Sequence, residues 1–481
     1  MIQIRPIVFA LGLMLCIIAS AMVLPAVVDL ADGHDGWRVF LAASLFTFFV
    51  GGLMVLACYE DRVTRLGVRE GFLLTTLSWI VIASLAAIPF YGLGLSYTDA
   101  FFETMSGLTT TGSSVITGLD KLPRGILLWR SLLCAIGGLG IIVMAIIMMP
   151  FLRVGGMQLF QMESSDKSEK ILPRAFELMT ATALVYGGLI VVCAAVYVLL
   201  GMSLFDAICH ALSTLSTAGF STHDESFGFF RSPAILWAGT IFMALGAMPF
   251  VVFIKAIRGD PATLWQDVQV RGFVNFLIAV SLILAVWVSL TTGRPFFEAL
   301  TNAAFNVTSI VTTSGFASED YQKWGSFAVG LFLLLTFVGG CSGSTAGAIK
   351  IYRLQVTGIL ARSHFVHLIS PNRVVTLVYN GRRLPDDVPF SVVAFLAIYM
   401  TTVGVFTVIL SAMGLDLVTA VSASAQALSN VGPGLGDIIG PAGNYAGLPA
   451  AAKWALAFEM MLGRLELFTV LVLFRPEFWR S

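Results

Sequence analysis

The chain has 481 residues, 57% of them apolar and 12% charged, against roughly 45–50% and about 25% in ordinary soluble domains, which excludes a soluble enzyme. Basic and acidic side chains number 28 each, so the net charge is zero and there is no basic face for a nucleic acid. A hydrocarbon core about 30 Å thick needs roughly 20 apolar helical residues, and the chain offers many such stretches.

Charge-free stretches long enough to span occupy residues 6–28, 39–59, 71–98, 131–152, 178–205, 232–254, 272–293, 324–349 and 388–415. The first follows Arg5 in the manner of a secretory leader, but it is long for one and leads straight into further spans, so a retained first helix is expected. A tenth stretch, 451–474, carries Lys453, Glu459, Arg464 and Glu466, and charges inside a span mark function. With ten spans drawn, nineteen Lys and Arg fall on the side of Arg5, Lys255, Arg271 and Arg475, and eight, among them Arg38, Lys121 and Lys323, on the other. The basic side is therefore cytoplasmic and holds both termini. Arg464, eleven residues before Arg475, stays inside the membrane.

Between certain spans, on the outer side, lie apolar segments interrupted by Gly, Ser and Thr, at 100–119, 207–222, 299–318 and 417–436. Asp99, Asp206, Asn302 and Thr419 each stand thirteen residues before a glycine, at Gly112, Gly219, Gly315 and Gly432. These four are N-cap residue types, so each is expected to start a short helix. The glycines are 107, 96 and 117 residues apart, which fits one unit of span, half-helix, glycine loop and span used four times. Irregular backbone at membrane depth survives only when protein buries it or water lines it. Four copies around one axis meet that rule, and their carbonyls can replace the water shell of a cation. The helix C-termini aimed below the ring favour a cation as well.

The strings LTTTGSS (108–114), STLSTAGFS (213–221), TTSGFASEDY (312–321) and ALSNVGPGLG (427–436) resemble the four pore loops of the Trk/Ktr/HKT superfamily of potassium transporters. GGCSGSTAGAIK (339–350) and MLGRLELFTVLVLF (461–474) are similar to two further signatures of its bacterial TrkH branch, and the resemblance covers essentially the whole chain. Ala348 stands where the pattern leads one to expect a second glycine. The fold implied is an all-α membrane protein of ten transmembrane helices. An extra helix pair (1–60) precedes four pseudo-repeats (71–155, 177–258, 272–363 and 388–480), the third with a broken second helix.

The resemblance implies a potassium filter at Thr110, Thr111, Gly112, Thr217, Ala218, Gly219, Thr313, Ser314, Gly315, Asn430, Val431 and Gly432. In that superfamily, glycine in all four loops goes with potassium and serine at the first goes with sodium permeation. Four glycines within 339–347 should not stay helical, since each costs about 1 kcal/mol relative to Ala. That run reads either as a kink accommodating a neighbour or, as the resemblance favours, as an intramembrane gate loop of Gly339, Gly340, Cys341, Gly343, Gly347 and Lys350, with Arg464 as a positive charge facing the pore beneath the filter. The competing reading of Arg464 is an ion pair with Glu459 or Glu466.

The implied protein is a potassium uptake system of the bacterial inner membrane, or a proton- or sodium-coupled symporter with the same filter. The implied partners are a second copy of the chain, membrane lipid and a cytosolic nucleotide-binding ring docked near 162–170 or 350–383; potassium is the ion bound, with no organic cofactor. Glu103 is placed at the outer mouth and Asp416 at a span end in water. Cys16, Cys58, Cys134, Cys193, Cys209 and Cys341 lack metal-ligand spacing, and five of them read as small core residues. His34, His210, His223, His364 and His367 form no catalytic set, and His210 reads as a packed helix residue. A membrane enzyme needs converging acid, base and nucleophile, which Gly, Ser and Thr in symmetric loops do not supply. An inverted-repeat carrier is disfavoured because the repeats begin and end on the same side.

Overall fold

The computed structural model describes residues 2–59, 67–148 and 171–480. Among them, seven helices are long and apolar enough to cross a membrane, or eight if one bent pair counts as a single span. Arg62, Arg65, Arg153, Lys167 and Lys170, with the 162–170 stretch, lie outside the described residues.

Helices Ile4–Ala31 and Gly36–Cys58 form an antiparallel pair. They approach backbone to backbone at Gly12 and Gly51, where an added Cβ on Gly12 would stand 2.7 Å from the Gly51 carbonyl oxygen. Small residues allow such contact where no water drives association. The pair is tied to the first repeat by Asp29, whose Oδ1 accepts from the Gly125 N–H at 2.7 Å. A carboxylate there meets the orphan N–H groups at the start of helix Arg124–Met148.

Four short helices follow at the four expected positions: Tyr97–Leu108, Leu204–Leu215, Phe296–Val311 and Leu417–Ser429. Their starts correct the expected caps. Ser96, Ser203 and Asp416 are the capping residues, accepting from the N–H groups of Asp99, Asp206 and Thr419 at 3.1–3.2 Å. Asp99 and Asp206 instead fill the third helical position, where each carboxylate accepts from the capping serine hydroxyl at 2.7 Å. Such reciprocal boxes reward Ser-x-x-Asp, so the aligned acid marks the first turn and not the cap. Asn302 lies inside the third helix, which starts at Phe296. Asp416 thus has a structural task.

Three of the four second spans are broken, and of these breaks only the third was expected. In the second repeat, Pro233–Gly246 and Phe250–Ile257 meet at 94° around Pro249, which has no N–H to continue the helix. The third is helical only over Ser326–Leu335, runs as coil through 336–350 and resumes as Ile351–Ile369. The fourth stops at Arg464, with Glu466 and Leu467 both at φ 55°, before a short turn Phe468–Leu471. Stretches 232–254, 324–349 and 451–474 are therefore not continuous helices.

The freed backbone groups satisfy one another. The Thr345 and Cys341 N–H groups of the coil donate to the carbonyls of Gly246 and Ala247 at the neighbouring bend, at 3.3 and 2.9 Å. That exchange is the condition for irregular backbone inside a membrane. One two-stranded hairpin, Val378–Tyr379 with Arg382–Arg383, turns at Asn380-Gly381 and qualifies the all-α expectation. Asn-Gly is the strongest short hairpin signal and was present in the sequence. Four cysteines are buried as core residues, but Cys16 and Cys58 are only partly so.

Candidate functional site

The four short helices end identically. The N–H of Thr110 donates to the Gly107 carbonyl and that of Thr111 to Ser106, and the pattern recurs at Thr217 and Ala218, Thr313 and Ser314, Asn430 and Val431. These are Schellman caps, which need one left-handed residue. That residue is Thr110, Thr217, Thr313 or Asn430, at φ between 52° and 60°. Glycine or asparagine would be ordinary there; three β-branched threonines are strained, by about 1–3 kcal/mol each. Strain is retained where geometry matters.

Two residues on, Gly112, Gly219, Gly315 and Gly432 have φ between 78° and 99°. A Cβ added to Gly112 would collide with the carbonyl oxygen of Ala218, one on Gly219 with Ser314, one on Gly315 with Val431, and one on Gly432 would stand 2.8 Å from that of Thr111. The contacts run from first repeat to second, third, fourth and back to first, so the four loops close a ring. No described N–H or hydroxyl donates to the carbonyls of Thr110 to Gly112, Thr217 to Gly219, Thr313 to Gly315, or Asn430 and Val431. Acceptors without donors beside four helix C-termini make this a region of negative potential. All twelve expected filter residues are brought together here.

Above the ring, Gly112, Gly219, Gly315 and Gly432 face an outer cavity of about 100 Å³. Its wall rests on a buried ion pair, Arg130 Nε to Glu103 Oε1 at 2.8 Å. Glu103 Oε2 accepts from the Val115 N–H at 2.9 Å, and Arg130 donates to the Ser221 carbonyl while stacking 4.1 Å from the Phe220 ring. Glu103 is therefore not a mouth residue but a strut between the first two loops. His210 is packed as expected, its ring nitrogens near the Asp206 carbonyl and the Ser221 hydroxyl. His223 bridges Asp120 at 2.5 Å and Asp206 at 3.5 Å, a clasp between outer loops that spacing alone did not reveal.

Beneath the ring runs the coil of the third repeat. The Gly347 N–H donates to the Thr313 hydroxyl at 2.7 Å, the Ala348 N–H donates to the Ser429 carbonyl at 2.9 Å, and the Thr345 and Thr217 hydroxyls are 3.1 Å apart. Its glycines are needed for these approaches: a Cβ on Gly340 would stand 2.8 Å from the Ala247 carbonyl oxygen, and one on Gly347 would strike that of Ser429. Gly339 likewise faces the Gly347 carbonyl, Cys341 is fully buried, and the Lys350 ammonium donates to the Ala346 carbonyl. Gly343 is left-handed at φ 79°. Ala348 is too, at φ 53°, so the expected glycine is replaced by a strained alanine.

Arg464 reaches the same coil, its Nη1 donating to the Thr345 carbonyl at 2.7 Å. It pairs with neither expected acid. Glu466 is bound by Arg353 at 2.6 Å, and Glu459 accepts from the Ser424 hydroxyl at 2.5 Å. Coil residues Gly343, Ser344, Ala346 and Gly347 line an inner cavity of about 70 Å³ with Lys350, Arg464 and Glu466. Thr345, which ties coil, filter and Arg464 together, was missed in the sequence because nothing local marks it.

Helices of spanning length around a ring of re-entrant glycine loops define a multi-pass membrane protein. The sequence matches TrkH, described as a cation transport protein, over residues 37–481, and the chain belongs to that family. It is 44% identical over 480 residues to the Trk system potassium uptake protein TrkI of Halomonas elongata, covering 99% of this chain and 97% of that one. It is 35% identical over 485 residues to the Trk system potassium uptake protein TrkH of Escherichia coli, 99% of each. The crystal structure of the potassium transporter TrkH from Vibrio parahaemolyticus superposes with a TM-score of 0.92 at 34% identity, over 100% of both chains.

Proposed function

We propose that this protein takes up potassium across the bacterial inner membrane through the ring of four loops. The observation that carries the reading is the closed cycle of glycine-to-carbonyl contacts, whose carbonyls accept from no donor among the described residues. Thr110 to Gly112, Thr217 to Gly219, Thr313 to Gly315 and Asn430 to Gly432 form the filter, and potassium is the cargo. Four identical glycines support potassium over sodium. The ring has only approximate fourfold symmetry, because Thr111, Ala218, Ser314 and Val431 differ.

The coil 336–350 is the gate. Its contacts to Thr217, Thr313 and Ser429, and the hold of Arg464 on it through Thr345, support that reading. Ten spans complete the architecture, the broken ones counted, in a helix pair and four parallel repeats with both termini cytoplasmic. The chain works as a homodimer beside a cytosolic nucleotide-binding ring of the Trk/Ktr type, and it performs no catalysis.

The experiment is rubidium uptake into liposomes holding only the purified protein, with sodium and pH gradients imposed separately. Uptake that follows the potassium gradient alone and resists sodium competition is expected. A coupled symport rests on one observation, the buried Oε2 of Glu459, which has no hydrogen-bond partner. Uptake that requires a proton gradient and is lost in Glu459→Gln establishes that second reading instead.

A further inference from the structure

We infer that the inner cavity binds one small monovalent anion of chloride size, held by Arg464 and Lys350. Arg464 is 3% exposed and spends one of its donors on Thr345. Its Nε and Nη2 are buried with no acceptor, as is the hydroxyl of Ser342 in the same wall. An unpaired buried guanidinium donor is expensive, and a potassium ion cannot accept from it.

Among the described residues lining this cavity, Lys350 and Arg464 are cations and Glu466 is the one carboxylate. Glu466 is already engaged by Arg353, itself buried and stacked 3.7 Å from the Phe395 ring. The wall therefore has an uncompensated positive charge with donors to spare. The cavity has room for a bare halide. Water accepts from the same donors but leaves the charge in place, whereas an anion answers both.

The consequence rests on the pore reading. Arg464 is linked to the filter through Thr345 and Thr217, so its charge opposes a cation descending from the ring. By Coulomb's law a unit charge acting over a distance on the order of 10 Å through an effective dielectric near 20 changes a passage rate roughly tenfold. The bound anion cancels that charge and makes passage anion-dependent.

Crystals of the full chain grown in potassium bromide test the site directly. An anomalous bromide peak in contact with the Arg464 side chain, absent in Arg464→Gln, is the expected result. In liposomes, replacing chloride by gluconate on the cytoplasmic side should slow rubidium uptake on the order of tenfold, and Arg464→Gln should remove that anion dependence. Should Arg464→Gln fail to fold, Ser342→Ala provides the second variant, with weaker bromide occupancy and weaker anion dependence. An inner cavity without bromide, together with equal uptake in chloride and gluconate, overturns the proposal. Failure of rubidium uptake in every anion would refute the pore reading alone, and the bromide position would still decide the anion site.

Discussion

Arg464 donates to the carbonyl of Thr345 at 2.7 Å, joining the last broken helix to a coil 119 residues earlier in the chain. A buried charge here meets an irregular backbone carbonyl and not a carboxylate. Removing it frees the coil: Arg464→Ala is expected to raise rubidium flux severalfold with an unchanged rubidium-to-sodium ratio, read in the same liposomes. A protein that loses its fold on this substitution, with no gain in flux from Arg464→Lys, argues for a purely structural arginine.

Gly112→Ser places a Cβ against the Ala218 carbonyl and forces the first loop away from the second. The expected outcome is a fall in rubidium-over-sodium preference with sodium uptake maintained or raised. Ion competition measured side by side with the parent chain checks it, and an unaltered preference removes Gly112 from the filter.

The buried Glu103 and Arg130 pair has no solvent to take over if one partner goes. Glu103→Gln should lower stability by about 3–5 kcal/mol, the range for stranding one buried charge. Thermal unfolding in detergent reports it. A melting temperature equal to that of the parent contradicts the strut.

Ala348→Gly relieves a left-handed alanine at φ 53° and should stabilise the coil by about 1 kcal/mol. If that strain is confined to the closed gate, flux falls as stability rises. The two are measured on one preparation, by thermal unfolding and rubidium uptake, and a loss of stability refutes the strain.

His223 gives a pH signature outside the spans. Burial disfavours its charged form, but hydrogen bonds and charge from Asp206 and Asp120 outweigh this and raise its pKa above 6.5. The clasp therefore adds stability that is full below about pH 6.5 and is lost as pH rises through the folded value. Asp120 is lowered chiefly by its bond to His223, so its share is lost as pH falls through that depressed value. Melting temperature against pH should decline on the alkaline side in the parent and be flatter there in His223→Asn; parallel curves would dismiss the clasp.

The repeat was legible because its signals are local. Thirteen-residue phasing from Asp99, Asp206, Asn302 and Thr419 to four glycines located every short helix and every loop. It misplaced the caps, by three residues at Ser96, Ser203 and Asp416 and by seven at Pro295, since a cap-type side chain further along the helix looks like a cap to spacing. The glycine-rich run announced the broken third span, and Pro249 was a readable signal of the bend that went unused. The stop after Arg464 has neither Gly nor Pro to announce it, and there Glu466 and Leu467 have positive φ while Arg353 binds the Glu466 carboxylate.

What the sequence determined by itself is the solvent, the fourfold repeat and the positions of the loops, because composition and periodicity depend on residues near one another in the chain. What only the tertiary structure decided is which partner each buried polar group takes. Arg464 chose a carbonyl over Glu459 or Glu466, Glu103 chose Arg130, and Gly432 closed the ring on Thr111. Hydrogen bonds and charges act over a few ångströms, so their outcome is fixed by packing that brings together residues distant in the chain.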